Sequence, residues 1–283
     1  MIYVSTGGFS ELNFYEACRV MSQAGLSQFE LSAGAYTRDV NEQLIALSSD
    51  YKLALHNYFP VPEKPFVFNL ASNNTDIANA SMAHAQRAIE LSALVGSKYF
   101  SFHAGYLFDP DPSMLGNELK LTHKVAPAIG LRNFSNRVTK LADYSEERGV
   151  QLLVENNVLS YANTHLINDN PLMASCPEST AELFSELPAK VKLLVDVAHL
   201  KVSANTLGYC PYAYLERFDN LIGGYHLSDN NGLEDSNQEF DESAWFWPYL
   251  KEDVEYVSIE VYSEDLELLK KQYDLASIQL QRN

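Results

Sequence analysis

Cysteine is scarce in this sequence, and long apolar runs are missing. Its 283 residues include three cysteines, none in a CxxC pair, so a disulfide framework is excluded and the usage fits a reducing cytoplasm. Cys18 falls at a helical apolar spacing and is predicted to be buried. The first residues lack the charged and apolar regions of a signal peptide, and no uncharged apolar run approaches the roughly 20 residues of a membrane span. We therefore expect a soluble, cytoplasmic protein without a membrane partner.

Basic residues are also few. The sequence has 20 lysines and arginines against 37 aspartates and glutamates, which gives a formal net charge of −17. Such an excess of negative charge repels phosphate backbones at long range and opposes nucleic acid as the main partner. The hydrophobic fraction of 46% is ample for a sizeable core, which excludes a disordered chain.

What the sequence does contain is a regular alternation of short apolar segments and amphipathic helices. Eight such strand–helix units without a linker predict one (β/α)8 TIM barrel, class α/β, over residues 1–283. A doubly wound open sheet is the alternative, but no G-x-G-x-x-G follows the first strand. The predicted strands span residues 2–6, 28–33, 53–59, 98–105, 150–157, 191–199, 221–229 and 255–262. The predicted helices span residues 9–24 with Ser10 as N-cap, 40–48, 75–95, 124–148, 178–187 and 263 onward.

Several predicted strands end in polar residues, as in "LLVENN", "VDVAH", "YHLSD" and "SIEVY". The carboxyl ends of barrel strands and the following loops build the active site. Four of the seven histidines fall there, whereas His84, His123 and His165 lie in predicted helices or loops. The polar residues at the strand ends are Glu30, His56, His103, Glu155, Asp196, His199, His226, Asp229 and Glu260.

The strand-end carboxylates have no lysine or arginine beside them on strands five to eight. Carboxylates that converge without cations repel one another and raise each other's pKa values, and a divalent metal ion supplies the missing positive charge. We therefore predict a metal site with Glu155, Asp196, His226 and Glu260 as ligands. Three carboxylates and one imidazole suit Mn²⁺, Mg²⁺, Co²⁺ or Zn²⁺. His199 is placed either to bind a second metal or to hydrogen-bond a substrate oxygen.

With these residues in place, the sequence resembles the xylose isomerase-like TIM-barrel superfamily, which includes sugar isomerases, epimerases and apurinic endonucleases. The segments that carry the resemblance are "LLVENN", "VDVAHL" and "YHLSDNNGLEDSN", with support from "LALHNYF" and "FSFHAG". The resemblance to the ketose epimerases implies one metal ion on the four predicted ligands, with Glu155 and Glu260 also moving protons on opposite faces of the bound sugar. It implies proton transfer beside a carbonyl through a metal-stabilised enediolate, and contact of His199 with substrate oxygens.

The resemblance to the apurinic endonucleases implies instead a set of three zinc ions. The sequence matches eight of its nine ligand positions, but Asn237 stands where the ninth, a histidine, is expected, and an amide is a poor zinc ligand. The net charge further opposes a DNA enzyme. We therefore favour sugar chemistry and keep the metal-dependent endonuclease and a non-catalytic sugar-binding barrel as alternatives. The residues left for a second or third zinc ion or for substrate binding are His56, His103, His199, Asp229 and Asp235.

The resemblance implies a small carbohydrate as the partner, and the predicted loops suit such a substrate. The aromatic and proline-rich residues 57–69 suit one wall over a sugar ring, and Tyr106, Phe108, Tyr161 and His165 lie in the next two loops. The loops after strands seven and eight are acidic and lack a glycine-rich phosphate site, which favours a free sugar over a sugar phosphate. A homodimer is compatible with the resemblance, although the sequence shows no interface signal.

Overall fold

The eight predicted strands close into one parallel barrel in the order β1 to β8, with β1 paired to β8. The computed structural model describes residues 1–112, 118–121 and 124–282, so His123 lies outside the described residues. The predicted (β/α)8 fold is confirmed, and each strand lies inside its predicted range or within one residue of it. The strands are β1 (Ile2–Ser5), β2 (Gln28–Leu31), β3 (Lys52–His56), β4 (Tyr99–His103), β5 (Gln151–Glu155), β6 (Lys192–Asp196), β7 (Ile222–Leu227) and β8 (Tyr256–Ile259).

The helices depart from eight equal strand–helix units. Two helices follow β6, and in the described part of the chain only a short 3₁₀ helix, Trp247–Tyr249, lies between β7 and β8. A second 3₁₀ helix, Tyr161–Asp169, precedes α5. The α-helices are α1 (Phe14–Ser22), α2 (Val40–Ser48), α3 (Thr75–Leu94), α4 (Pro127–Glu146), α5 (Pro177–Ser185), α6 (Val197–Leu207), α7 (Pro211–Phe218) and α8 (Leu266–Arg282).

The prediction that strand six runs to residue 199 is wrong because Asp196 begins a helix. Its Oδ1 accepts a hydrogen bond of 2.7 Å from the backbone N–H of His199, which satisfies a free donor in the first turn of α6. The apolar Val197 and Ala198 therefore belong to a buried helix start. A buried helix and a buried strand look alike over so few residues.

The predicted N-cap of the first helix is also wrong. The helix begins after Asn13, not Ser10, since Asn13 and Glu16 form a reciprocal capping box. The Asn13 side chain accepts from the Glu16 N–H at 3.1 Å, and the Glu16 carboxylate accepts from the Asn13 N–H at 3.2 Å. Two free donors are satisfied together, which a single serine cap does not achieve.

The barrel interior is filled in layers, because inward-facing side chains recur every two residues along a strand. An apolar layer closes the barrel beneath the site and contains Tyr3, Ala54, Tyr99, Leu153, Leu194 and Tyr256. Two residues further along, the same strands place a buried polar layer directly above it, which contains Ser5, His56, Ser101, Glu155, Asp196 and Ser258. The change from apolar to polar within two residues is what puts the predicted ligands at the barrel mouth.

The cysteines and the helices agree with the compositional expectations. Cys18 is buried in the core, as predicted, and Cys176 and Cys210 are free thiols. Within the described ranges, no helix combines the length and the apolar character needed to cross a bilayer. The cytoplasmic location and the homodimer stay predictions.

Candidate metal centre

Four buried side chains from four consecutive strands and their ends converge at the barrel mouth. Glu155, Asp196, His226 and Glu260 each offer one ligand atom, and these atoms lie within 4.8 Å of one another. The Nδ1 atom of His226 lies 3.2 Å from Oε1 of Glu155 and 3.3 Å from Oε2 of Glu260. The structure thus brings together all four residues that the sequence predicts as metal ligands.

Four polar atoms of this group lack hydrogen-bond partners in the described structure. Both carboxylate oxygens of Glu155, Oδ2 of Asp196 and Nδ1 of His226 are buried without a hydrogen bond in the described structure. A buried polar group left in this way costs roughly 1–3 kcal/mol, and more if it is charged. A divalent cation bound among them would satisfy these atoms together, and carboxylate oxygen with imidazole nitrogen is a suitable donor set for Mn²⁺, Co²⁺ or Zn²⁺.

Glu155 also belongs to a second group of potential ligands. The Nε2 atom of His56 and the Nδ1 atom of His103 each lie 3.4 Å from Oε2 of Glu155. The Nδ1 atom of His103 is buried and has no hydrogen-bond partner in the described structure. Since His226 faces the other carboxylate oxygen, Glu155 would belong to the ligand sets of both ions if two were bound. The donor set of His56, His103 and Glu155 fits a second ion.

His199 lies at the edge of the centre with both ring nitrogens engaged. Its Nδ1 donates to the backbone carbonyl of Asn156 at 2.9 Å, and its Nε2 lies 3.1 Å from Oδ2 of Asp235. The same Nε2 is 3.8 Å from Oδ2 of Asp196. The other oxygen of Asp235 is buried and unpaired in the described structure. These contacts fit a role in substrate binding. A third ion is less well served, since Asn237, an amide, lines the cavity where the ninth ligand is expected.

Asp229 is the one predicted site residue whose side chain lies outside the centre. Its Oδ1 accepts a hydrogen bond of 2.6 Å from Nζ of Lys201 on α6. Its backbone forms an isolated antiparallel bridge with Gln238. Asp229 lines a separate cleft together with Lys201. Because it stands two residues past the end of β7, the inward-facing periodicity of the strand no longer determines its direction.

The pKa values of the two carboxylates Glu155 and Asp196 are shifted in opposite directions. Burial raises the pKa of Glu155, but the neighbouring His103, His226 and His56 outweigh burial and hold it well below its usual value. Burial raises the pKa of Asp196 to about 8, against the attraction of His199.

The pKa values of the two imidazoles are shifted in opposite directions. Burial lowers the pKa of His226, but the carboxylates of Glu260, Glu30 and Glu155 outweigh it and raise the pKa well above its usual value. Burial brings the pKa of His103 down to about 4, in spite of Glu155. The metal-free centre therefore holds protons that a bound cation would displace.

Two residues that the sequence argument left without a role also serve the centre. Glu30, on β2, is fully buried and accepts a hydrogen bond of 3.0 Å from Nε2 of His226. The signal available in the sequence was a carboxylate within a short apolar strand. Asn156 makes reciprocal hydrogen bonds with the backbone of Asp196, donating at 3.2 Å and accepting at 2.8 Å, and so fixes the end of β6 against the end of β5.

A cavity of 660 Å³ opens above the centre. One wall is aromatic and includes Tyr58, Phe66, Phe68, Tyr106 and Tyr262. Residues 57–69 therefore form a wall, as predicted.

The other aromatic residues expected in the loops do not reach the cavity. Phe108 packs in a buried apolar cluster. Tyr161 is exposed, and Nε2 of His165 lies 3.2 Å from the carbonyl of Leu119. Trp247 is buried and packs against Phe240 and Phe246.

Comparisons with known proteins agree with this architecture. A family model described as xylose isomerase-like TIM barrel matches residues 18–259. No curated protein matches the sequence at a significant level.

Solved structures show the same fold at low identity. A D-tagatose 3-epimerase-like protein is 17% identical, with a TM-score of 0.73 over 99% of this chain and 97% of that chain. The 3-keto-D-glucoside 4-epimerase YcjR from E. coli is 15% identical, with a TM-score of 0.66 over 100% and 99% of the two chains. A Thermus thermophilus protein soaked with ZnCl2 is 18% identical, with a TM-score of 0.64 over 98% of each chain. Since the family model spans most of the sequence and the barrel is closed as that family requires, this protein belongs to the xylose isomerase-like TIM barrel family.

Proposed function

We propose that this protein is a divalent-metal-dependent isomerase or epimerase that acts on an uncharged sugar or sugar derivative. The carboxylates of Glu155 and Glu260 carry the proposal, since they approach the same nitrogen of His226 at 3.2 and 3.3 Å beneath the cavity. The barrel shared with the D-tagatose 3-epimerase-like protein and with 3-keto-D-glucoside 4-epimerase supports it.

The two glutamates are suited to move protons in opposite directions. Glu155 ends β5 and Glu260 directly follows β8, so their carboxylates enter the centre from strands separated by β6 and β7. One carboxylate removes a proton from a carbon next to a carbonyl, and the other returns a proton to the substrate. A metal ion held by Glu155, Asp196, His226 and Glu260 would supply the positive charge that stabilises the enediolate oxygen.

The cavity favours a substrate without a phosphate or carboxylate group. Its lining includes aromatic rings, whose faces carry negative partial charge and suit the C–H face of a sugar ring. Its charged lining side chains include Asp235 and Glu260, and neither lysine nor arginine lines it among the residues that the structure describes. An anionic group in this cavity would be repelled by these carboxylates, and its counter-charge would have to come from the metal ion or from His199, whose pKa is lowered by burial but raised overall by the neighbouring carboxylates.

Deuterium exchange on a panel of ketoses, aldoses and keto-glycosides tests the proposal. Protein loaded with Mn²⁺ or Co²⁺ should convert at least one sugar in D₂O and incorporate deuterium at the carbon next to the carbonyl. Glu155→Gln and Glu260→Gln should each abolish conversion in a folded protein. The control Glu146→Gln changes an exposed glutamate paired with Lys190 and should keep full activity. Sugar binding without turnover under every metal would indicate the non-catalytic barrel instead.

A phosphodiesterase acting at abasic sites is the second candidate, because His56, His103 and Glu155 form a second ligand group. The net charge of −17 and Asn237 oppose it, since a DNA enzyme normally carries a basic footprint. Elemental analysis and an abasic-duplex assay separate the two functions. Cleavage of the duplex with two or three zinc ions per chain would replace the sugar proposal, whereas no cleavage would leave it standing.

A further inference from the structure

A buried hydrogen-bond network links Glu30, His226 and Tyr256 next to the metal centre. The proposed reaction assigns no role to Glu30 or Tyr256. We propose that Glu30, supported by Tyr256, is a positioning residue that holds the ring of His226 with its Nδ1 atom facing the metal site. The inference rests on the proposed metal centre. It concerns the side chains that contact His226 on the ring edge opposite Glu155 and Glu260.

The contact between Glu30 and His226 fixes which ring nitrogen is free. Both side chains are fully buried, with 0% exposure. The Nε2 atom donates to Oε2 of Glu30 at 3.0 Å, so Nδ1 on the opposite side is the ring nitrogen left to bind a cation. That Nδ1 atom lies 3.2 Å from Glu155 and 3.3 Å from Glu260. Carboxylates that accept the second N–H of a metal-binding histidine in this way set its tautomer and its orientation.

The carboxylate of Glu30 is itself held on two sides from β8. Its Oε1 accepts a hydrogen bond of 2.9 Å from the hydroxyl of Ser258. Its Oε2 accepts one from the hydroxyl of Tyr256. A buried ionic pair often stabilises a fold no better than apolar residues of the same size. Packing alone therefore does not account for a carboxylate at this position, whereas orientation of His226 does.

A second branch of the same network reaches His56. The hydroxyl of Tyr256 lies 3.4 Å from Oγ of Ser101, and that Oγ lies 3.0 Å from Nδ1 of His56. The other ring nitrogen of His56 faces Glu155 at 3.4 Å. Tyr256 thus links the supports of two histidines, and each histidine turns its remaining nitrogen toward Glu155.

The test compares metal binding by two glutamine variants, Glu30→Gln and Glu255→Gln. Glu255 is a matched control because it accepts a hydrogen bond of 2.9 Å from the hydroxyl of Tyr99 at the opposite end of the barrel. Titration of metal-free protein with Mn²⁺ by calorimetry should show affinity about 10- to 100-fold weaker for Glu30→Gln and unchanged for Glu255→Gln. The visible spectrum of bound Co²⁺ should also change in Glu30→Gln only, since a purely stabilising residue would not alter the ligand geometry.

The outcomes separate this inference from the proposed function. If wild-type protein binds no divalent ion, both fall. If wild-type protein binds Mn²⁺ and a folded Glu30→Gln variant binds it equally well with the same Co²⁺ spectrum, only the positioning role falls. Should Glu30→Gln fail to fold, Tyr256→Phe keeps the ring and removes the hydroxyl. It should weaken Mn²⁺ binding several-fold, and unchanged binding in that variant overturns the inference.

Discussion

Acid should destabilise this protein through His84, a histidine behind the aromatic wall of the cavity. His84 lies on α3 with 8% of its surface exposed, and its Nε2 donates to the carbonyl of Asn57 at 3.2 Å. Its ring packs against those of Tyr58, Phe66 and Phe68, with centroids 5.7 to 5.8 Å away. A proton added to this ring would place an unpaired charge directly behind the wall.

The size of the effect follows from the pKa of His84. Burial lowers it from 6.5 to about 4, against the smaller contribution of the hydrogen bond to Asn57. Above pH 6.5 the ring of His84 is neutral in both the folded and the unfolded chain, so it causes no loss of stability. Between pH 6.5 and 4 only the unfolded chain takes up the proton, and unfolding becomes easier. The expected loss is about 2 kcal/mol at pH 5 and about 3 kcal/mol below pH 4.

Chemical denaturation at several pH values measures this loss. His84→Gln keeps an amide donor for the Asn57 carbonyl but cannot titrate, so its free energy of unfolding should fall less between pH 8 and 5 than that of the wild type. His103, whose pKa is also lowered to about 4, contributes in the same pH range in both proteins and cancels in the comparison. His165→Gln, at an exposed position, should behave as the wild type. Parallel pH profiles for the wild type and His84→Gln would refute the reasoning.

Two further predictions concern the metal centre. Binding of Mn²⁺ should become tighter by up to about tenfold for each unit that the pH rises toward 8, and it should release protons. The reason is that burial raises the pKa of Asp196 to about 8 and the metal requires the ionised carboxylate. Calorimetry in buffers of different ionisation enthalpy would count the protons, and a pH-independent affinity would contradict the assignment. Removal of the metal by a chelator should lower the unfolding temperature, since an ion at 100 times its dissociation constant adds about 2.7 kcal/mol to the stability. Asp196→Asn should lose most of this metal-dependent increment, whereas an equal increment in wild type and variant would exclude Asp196 as a ligand.

The fold could be predicted from the sequence because the patterns that indicate its strands are local. Each strand of the barrel is a short apolar segment, and each predicted strand contains or nearly contains the observed one. The errors came from contacts that compete over a few residues. Asp196 looks like the middle of a strand, yet its side chain caps α6. Asn13 replaced Ser10 as the cap because Glu16 completes the pair.

The candidate site could be predicted from the sequence only in part. Glu155, Asp196, His226 and Glu260 were identified by type and by position at the strand ends, and the barrel brings their ligand atoms within 4.8 Å. Asp229 has the same residue type at a similar position, yet it pairs with Lys201. Beyond the last paired residue of a strand, the direction of a side chain depends on the loop and its neighbours, which the sequence pattern does not encode.

The sequence by itself determined the order of the eight strands and of six of the eight described α-helices, and the change from apolar to polar side chains at the strand ends. Both follow from the two-residue period of a strand and the cost of burying unpaired polar groups. Only the tertiary structure decided which ring nitrogen of each histidine faces the centre. That choice depends on contacts such as the one between Glu30 and His226, which are 196 residues apart. Closure of the barrel creates these contacts by bringing β2 and β7 to face each other across its interior.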